Sequence, residues 1–285
     1  MSKIILTADT ACDLGPELIA RYNVKRIPFH VIFGEQEYKD GVDIDADKLY
    51  AIWGETGKLP RTAALNTEDF TAFFNQHMEE GAEIVHISIG SGLSVSCQCA
   101  GVVAEEMGNV HVVDSCSLSA GIALLACVAG DRIAAGETDA AKLAADLREL
   151  ALKTSATFVL DCLDFMRAGG RCSGFAQLSA ALLKIKPSLK VCNDRQGTMA
   201  VGKKYNGTVA RAAMRYLQDQ LEGRTDIDLR HAFLTHSGMP EETLLQLKEA
   251  IQALQPFEEI HITRASCTIS THCGPGTVGV LFITK

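Results

Sequence analysis

EIVHISIGSGLSVSCQCAGVVAEEMGNVHVVD, residues 83–114, decides the fold class. A short apolar run, EIVHISI, reads as a buried strand and gives way to a Gly/Ser loop. The spacing predicts a helix over 94–107, and VHVVD at 110–114 reads as the next strand. Strand, helix, strand in this rhythm implies a parallel sheet.

Upstream, KIILT (3–7) is a further apolar strand, and Gly15-Pro16-Glu17 starts a short helix. VKRIPFHVIF (24–33) reads as one strand followed by a polar hairpin-like turn, GEQEYKDG. Asn66-Thr67-Glu68-Asp69 caps a helix whose apolar face carries Phe70, Phe73, Phe74 and Met78; at helical spacing these read as core. Downstream, a long apolar helix over 119–135 precedes a charged one over 139–153.

Beyond it the pattern changes to TFVLD, KPSLKVC turning through NDRQG into TMAVGKK, then LRHAFLTH, EEIHIT and VGVLFITK. This half reads as a mixed or antiparallel sheet with helices. The expectation is a two-domain α/β chain: an N-terminal α/β/α domain with a parallel sheet over 1–150, and a C-terminal α/β domain over 151–285.

Charge narrows the function. At −8 over 285 residues, with Lys and Arg scattered, nucleic acid is not expected as a partner. Residues 1–14 show no basic region with an apolar stretch and cleavage site, so a cytoplasmic location is expected. The longest apolar stretch, 118–129, is too short to span a bilayer. The ten cysteines, several in runs such as LLACVAG, read as buried free thiols.

Three loops carry the chemistry: IGSGLS (89–94), MRAGGRCSG (166–174) and STHCGPG (270–276). Glycine lets backbone approach a ligand, and Ser, Thr, Arg and His hydrogen-bond an anion. No nucleophile with its base and no set of catalytic carboxylates is read, so no catalytic residue is assigned. Asp9 and Asp13 read as capping groups for the next helix rather than an acid/base or metal pair. Cys267, His272 and Cys273 lack the second ligand pair a metal site needs, so no metal is assigned. An enzyme acting on a small phosphorylated or hydroxylated metabolite, or a lipid-sensing regulatory module, stays open on this reading. The P-loop kinase pattern is absent.

Five ordered motifs resemble the DegV family of bacterial fatty-acid-binding proteins over nearly the whole chain. They are DTACDL (9–14), RTA (61–63), SGLSVSC (91–97), RAGGR (167–171) leading to LKIKP (183–187), and HCGPG (272–276). The resemblance implies two α/β domains with a long-chain fatty acid between them and no cofactor. It also implies a carrier rather than an enzyme, presenting the carboxyl group to a separate kinase subunit for acyl-phosphate formation and phospholipid synthesis, with at most transient membrane contact. Carried onto this sequence, Thr62, Ser94, Ser91 and His272 are the head-group residues, and Arg167 and Arg171 contact phosphate or the partner. Gly92, Gly169, Gly170, Gly274 and Gly276 shape the loops. His272 is expected to gain charge near neutral pH. Ala63 and Val95-Ser96-Cys97 depart from the family pattern, departures that bear on head-group hydrogen bonding and tail selectivity.

Overall fold

The computed structural model describes residues 3–173 and 185–285. The apolar helix expected after Arg171, together with Gly174, Leu183 and Lys184, lies outside the described residues. In chain order the first elements are β1 (Lys3–Asp9), α1 (Pro16–Tyr22), β2 (Lys25–Ile27), β3 (His30–Phe33), β4 (Gln36–Lys39), α2 (Ala46–Thr56), β5 (Arg61–Ala63) and α3 (Thr67–His77). Then come β6 (Ala82–Ser88), α4 (Ser96–Met107), β7 (Val110–Asp114), α5 (Ala120–Ala134) and α6 (Ala140–Ala151). The remainder is β8 (Thr154–Val159), α7 (Asp164–Gly169), β9 (Cys172–Ser173), β10 (Ile185–Cys192), β11 (Thr198–Asn206) and α8 (Val209–Leu221), followed by β12 (Ile227–Ser237), α9 (Glu241–Leu254), β13 (Glu259–Arg264), α10 (Cys267–Cys273) and β14 (Thr277–Thr284).

The quoted βαβ unit folds as read: β6 and β7 pair in parallel, with Ile84 beside Val110 and Ser88 beside Asp114. They complete a four-stranded parallel sheet ordered β2-β1-β6-β7. Seven strands, β13-β12-β14-β8-β10-β11-β9, form a mixed sheet from the later half. Its β10–β11 hairpin turns through residues 193–197 as expected.

One reading needs correction. VKRIPFHVIF is not a single strand. Its first part, β2, lies beside β1, whereas β3 leaves to form a separate three-stranded antiparallel sheet, β4-β3-β5. Pro28 stands at the break. With φ fixed and no N–H to donate, proline does not continue an interior ladder, so the chain changes sheets there. The small sheet has a functional consequence, because β5 carries Thr62.

The sheets meet through α5. Every residue from Ala120 to Gly130 is buried, and the helix touches β1 and β6 on one side and β8, β12 and β14 on the other. A helix apolar all round has no solvent face, which is why the run at 118–129 packs between sheets. Gly130 lets α1 approach: a Cβ there would lie 2.1 Å from the Tyr22 ring. The α3 cap is a full box, Asn66 and Asp69 each bonding the other's backbone N–H at 3.0 and 2.9 Å, and Phe70, Phe73 and Phe74 are core as read. Among the described residues no helix is long and apolar enough to cross a membrane.

Candidate functional site

At the C-terminal edge of the parallel sheet, the loops after β6 and β7 face the mixed sheet, α10 and β5 across a cavity of about 340 Å³. Its size sits near the lower end for ligand pockets, and its place matches the usual position of sites in α/β sheets. Thr62, Ser91, Ser94, Arg171 and His272 all border it, brought together from four separate segments. Arg167 does not. It is on α7, with its guanidinium 3.7 Å from Asp164.

His272 rides the last turn of α10. Ser266 caps that helix, and the buried Asp40 accepts from the amides of Cys267 and Thr268, both at 2.9 Å, and from the Thr268 hydroxyl at 2.6 Å. This frame aims the imidazole at β5, where Nε2 lies 2.9 Å from Thr62 Oγ1. Nδ1 is buried without a partner, and Gly169 packs on it so closely that a Cβ would lie 2.4 Å away. A bare lone pair is a lesser penalty there than an orphaned N–H. Nε2 therefore carries the proton and donates to Thr62, leaving the Thr62 hydroxyl hydrogen free to donate elsewhere.

Ser94 is supplied in the same sense. The Leu65 amide donates to Ser96 Oγ at 2.9 Å, so the Ser96 hydroxyl is free to donate to Ser94 Oγ, also at 2.9 Å. Ser94 Oγ further accepts from the Ser96 amide at 3.2 Å. Ser94 is thus paired with a hydroxyl that can itself donate, which leaves its own proton available to an acceptor in the cavity. The helix over 94–107 begins two residues late, at Ser96, because Ser94 braces the turn that precedes it.

The loop bearing Ser91 is pinned by its amide to Asp114 Oδ1 at 3.2 Å and by Gly92 N–H to the Gln196 carbonyl at 2.9 Å. A Cβ on Gly92 would meet the 195–198 turn at 2.9–3.1 Å, so this glycine joins the β6 loop to the β10–β11 hairpin. Arg171 donates to the Gly169 carbonyl at 2.5 Å and keeps its side chain partly in solvent.

Two expectations change. His272 does not gain charge near neutral pH: burial, with the Arg171 charge adding to it, pushes its pKa down to about 4. Asp13 does not cap the next helix, whose N-cap Gly15 has no side-chain bond. It accepts instead from Ser266 N–H at 2.7 Å and Ser119 Oγ at 2.5 Å, tying α10 to α5. Asp9 does cap the turn after β1, accepting from Ala11 N–H at 3.1 Å, and also holds Ile89 N–H at 2.7 Å. Burial raises both carboxyl groups to about 7. Cys267 and Cys273 are buried free thiols, each with its pKa pushed up by burial.

What local reading missed is the apolar wall: Phe29, Leu118, Phe158, Met199, Ile269 and Leu281. No motif marks these residues, since sheet packing alone assembles them.

Fold and site define an α/β protein with a largely apolar cavity between sheets, bordered by hydroxyl groups. The chain matches the family described as uncharacterised protein, DegV family, over residues 3–285, and it belongs to that family. A DegV domain-containing protein of Deinococcus radiodurans is 29% identical, the alignment covering 97% of each chain. One from Caldanaerobacter subterraneus is also 29% identical, over 100% of both. A solved structure described as the fatty acid binding of a DegV family protein from Thermus thermophilus superposes with a TM-score of 0.86 at 26% identity. It covers 99% of this chain and 100% of that one.

Proposed function

We propose that the protein binds a long-chain fatty acid between an N-terminal domain of residues 1–150 and a C-terminal domain of 151–285. The observation that carries this is the pair of hydroxyls, Thr62 and Ser94, which border the cavity beside the apolar wall and are paired with His272 Nε2 and Ser96 Oγ, groups that can themselves donate. The fatty acid binding of the similar Thermus protein supports the reading.

The carboxylate accepts from Thr62 and Ser94, with His272 acting through Thr62 and Ser91 shaping the loop. The tail supplies affinity: about fifteen methylene groups at about 0.8 kcal/mol each give about 12 kcal/mol before association and ordering are subtracted. Neutral donors orient the carboxylate without locking it in an ion pair, so its oxygen stays nucleophilic. A separate kinase transfers the γ-phosphoryl group of ATP to that oxygen, releasing ADP, and the acyl phosphate serves phospholipid synthesis. Arg171, beside the cavity, contacts the new phosphate, and Arg167, on the outer face of α7, contacts the kinase. On this reading the chain is a cytoplasmic carrier without a cofactor, its membrane contact transient.

Calorimetric titration with palmitate, its methyl ester and the matching alcohol tests the head-group assignment. Palmitate is expected to bind about tenfold or more tightly than its methyl ester, and Thr62→Val with Ser94→Ala to abolish the difference. Equal affinity for acid and ester in the wild type would overturn it.

A further inference from the structure

A second polar cluster stands apart from the cavity, at the edge of the mixed sheet. β12 and β13 pair in parallel with His231 beside Glu259 and Phe233 beside His261. Side chains two apart on a strand share a face, and so do register partners, so His231, Glu259 and His261 emerge together. His231 Nδ1 is 3.2 Å from His261 Nε2, which is 3.6 Å from Glu259 Oε2, and the three ligand atoms all lie within 4.8 Å of one another.

We propose that His231, His261 and Glu259 form a binding site for a divalent transition-metal ion, zinc foremost, with a fourth position open to water. Tetrahedral zinc with bonds of 2.0–2.1 Å to imidazole separates two ligand nitrogens by about 3.3 Å, the spacing already present. A second shell is also in place. The other nitrogen of His231 faces Asp131 Oδ2 at 3.5 Å, and Asp131 accepts from the Tyr22 hydroxyl at 2.8 Å, the carboxylate–histidine arrangement that orients metal-bound imidazole. Arg21 holds the Glu259 carboxylate at 2.9 and 3.2 Å, fixing its direction. The Phe233 ring, 4.8 Å from His261, fixes that imidazole. His231 lies about thirty positions before the Glu259–His261 pair and meets it only through strand register, so spacing motifs do not reveal the site. None of them borders the cavity.

The test is cobalt and zinc titration of chelator-stripped protein, by visible absorption and by competition with a chromophoric chelator. The wild type is expected to bind one equivalent, with cobalt d–d bands and no thiolate charge-transfer band. His261→Gln and Glu259→Gln should lose the site, and Asp131→Asn should weaken it about tenfold. Zinc should raise the melting temperature of the wild type and not of His261→Gln. Circular dichroism of the metal-free variants establishes that they are folded. Absence of binding to the wild type, binding undiminished in folded His261→Gln, or a thiolate band would overturn the proposal.

Discussion

Hydroxyl groups recur around the cavity, yet two sets of them differ in what they are paired with. In the wall set the protons are consumed: Thr268 donates to Asp40 at 2.6 Å, Ser119 to Asp13 at 2.5 Å and Thr277 to the Cys273 carbonyl at 2.8 Å. In the head-group set Thr62 is paired with His272 Nε2 and Ser94 with Ser96 Oγ, partners that can themselves donate and so leave the Thr62 and Ser94 protons for a ligand. A spent hydroxyl presents little more than its carbon neighbours do, whereas a supplied one in an apolar surround seeks an acceptor. What separates the wall set from the head-group set is the hydrogen-bond partner, not the residue types.

The most severe way to break this contrast is to remove an acceptor behind the wall. Asp40→Ala strands three buried donors, those of Cys267 and Thr268, and is expected to destabilise the protein by about 3–5 kcal/mol in chemical denaturation. The matching change in the head-group set behaves differently. Ser94→Ala should weaken palmitate binding about tenfold while shifting stability by about 1 kcal/mol or less, read by calorimetry beside denaturation. Smaller again, Thr277→Val should lose about 1 kcal/mol of stability and leave palmitate affinity within about threefold. A larger affinity loss in Thr277→Val than in Ser94→Ala would reverse the assignment of the two sets.

Proton linkage sharpens the same contrast. Asp9 and Asp13 have folded pKa values near 7 against an ordinary 3.8, so the stability they contribute is fully present below 3.8 and is lost as pH rises toward 7. His272 runs the other way: its pKa, depressed from 6.5 to about 4, gives stability that is present above 6.5 and lost as pH falls toward 4. His272→Gln should therefore flatten the acid limb of a stability profile, and Asp13→Asn the limb between 4 and 7. A histidine resonance titrating near 6.5 and absent from His272→Gln would contradict a buried neutral imidazole.

β1, β6, β14 and the inter-sheet helix were legible because each is a largely buried apolar run, and α3 because its capping box is local. The switch of sheets at Pro28 was not, since proline ends a ladder without saying where the chain goes next; β5 and the setting of Thr62 went with it. Family resemblance collected Thr62, Ser94 and His272, but their hydrogen-bond directions depend on Ser96, Leu65 and Gly169, which no motif singles out. The loss of charge at His272 was likewise hidden, because burial comes from α7 packing against α10. The three metal-ligand candidates on β12 and β13 depend on register, which a single strand does not encode.

The most direct measurement is organic extraction of the purified, unsupplemented protein, with fatty acid counted per chain by mass spectrometry in the wild type and in Thr62→Val with Ser94→Ala. Near-stoichiometric fatty acid in the wild type and a marked loss in the double variant are expected. Wild-type protein that is empty and takes up no added fatty acid would contradict the carrier role, and equal occupancy of both proteins would contradict the head-group assignment.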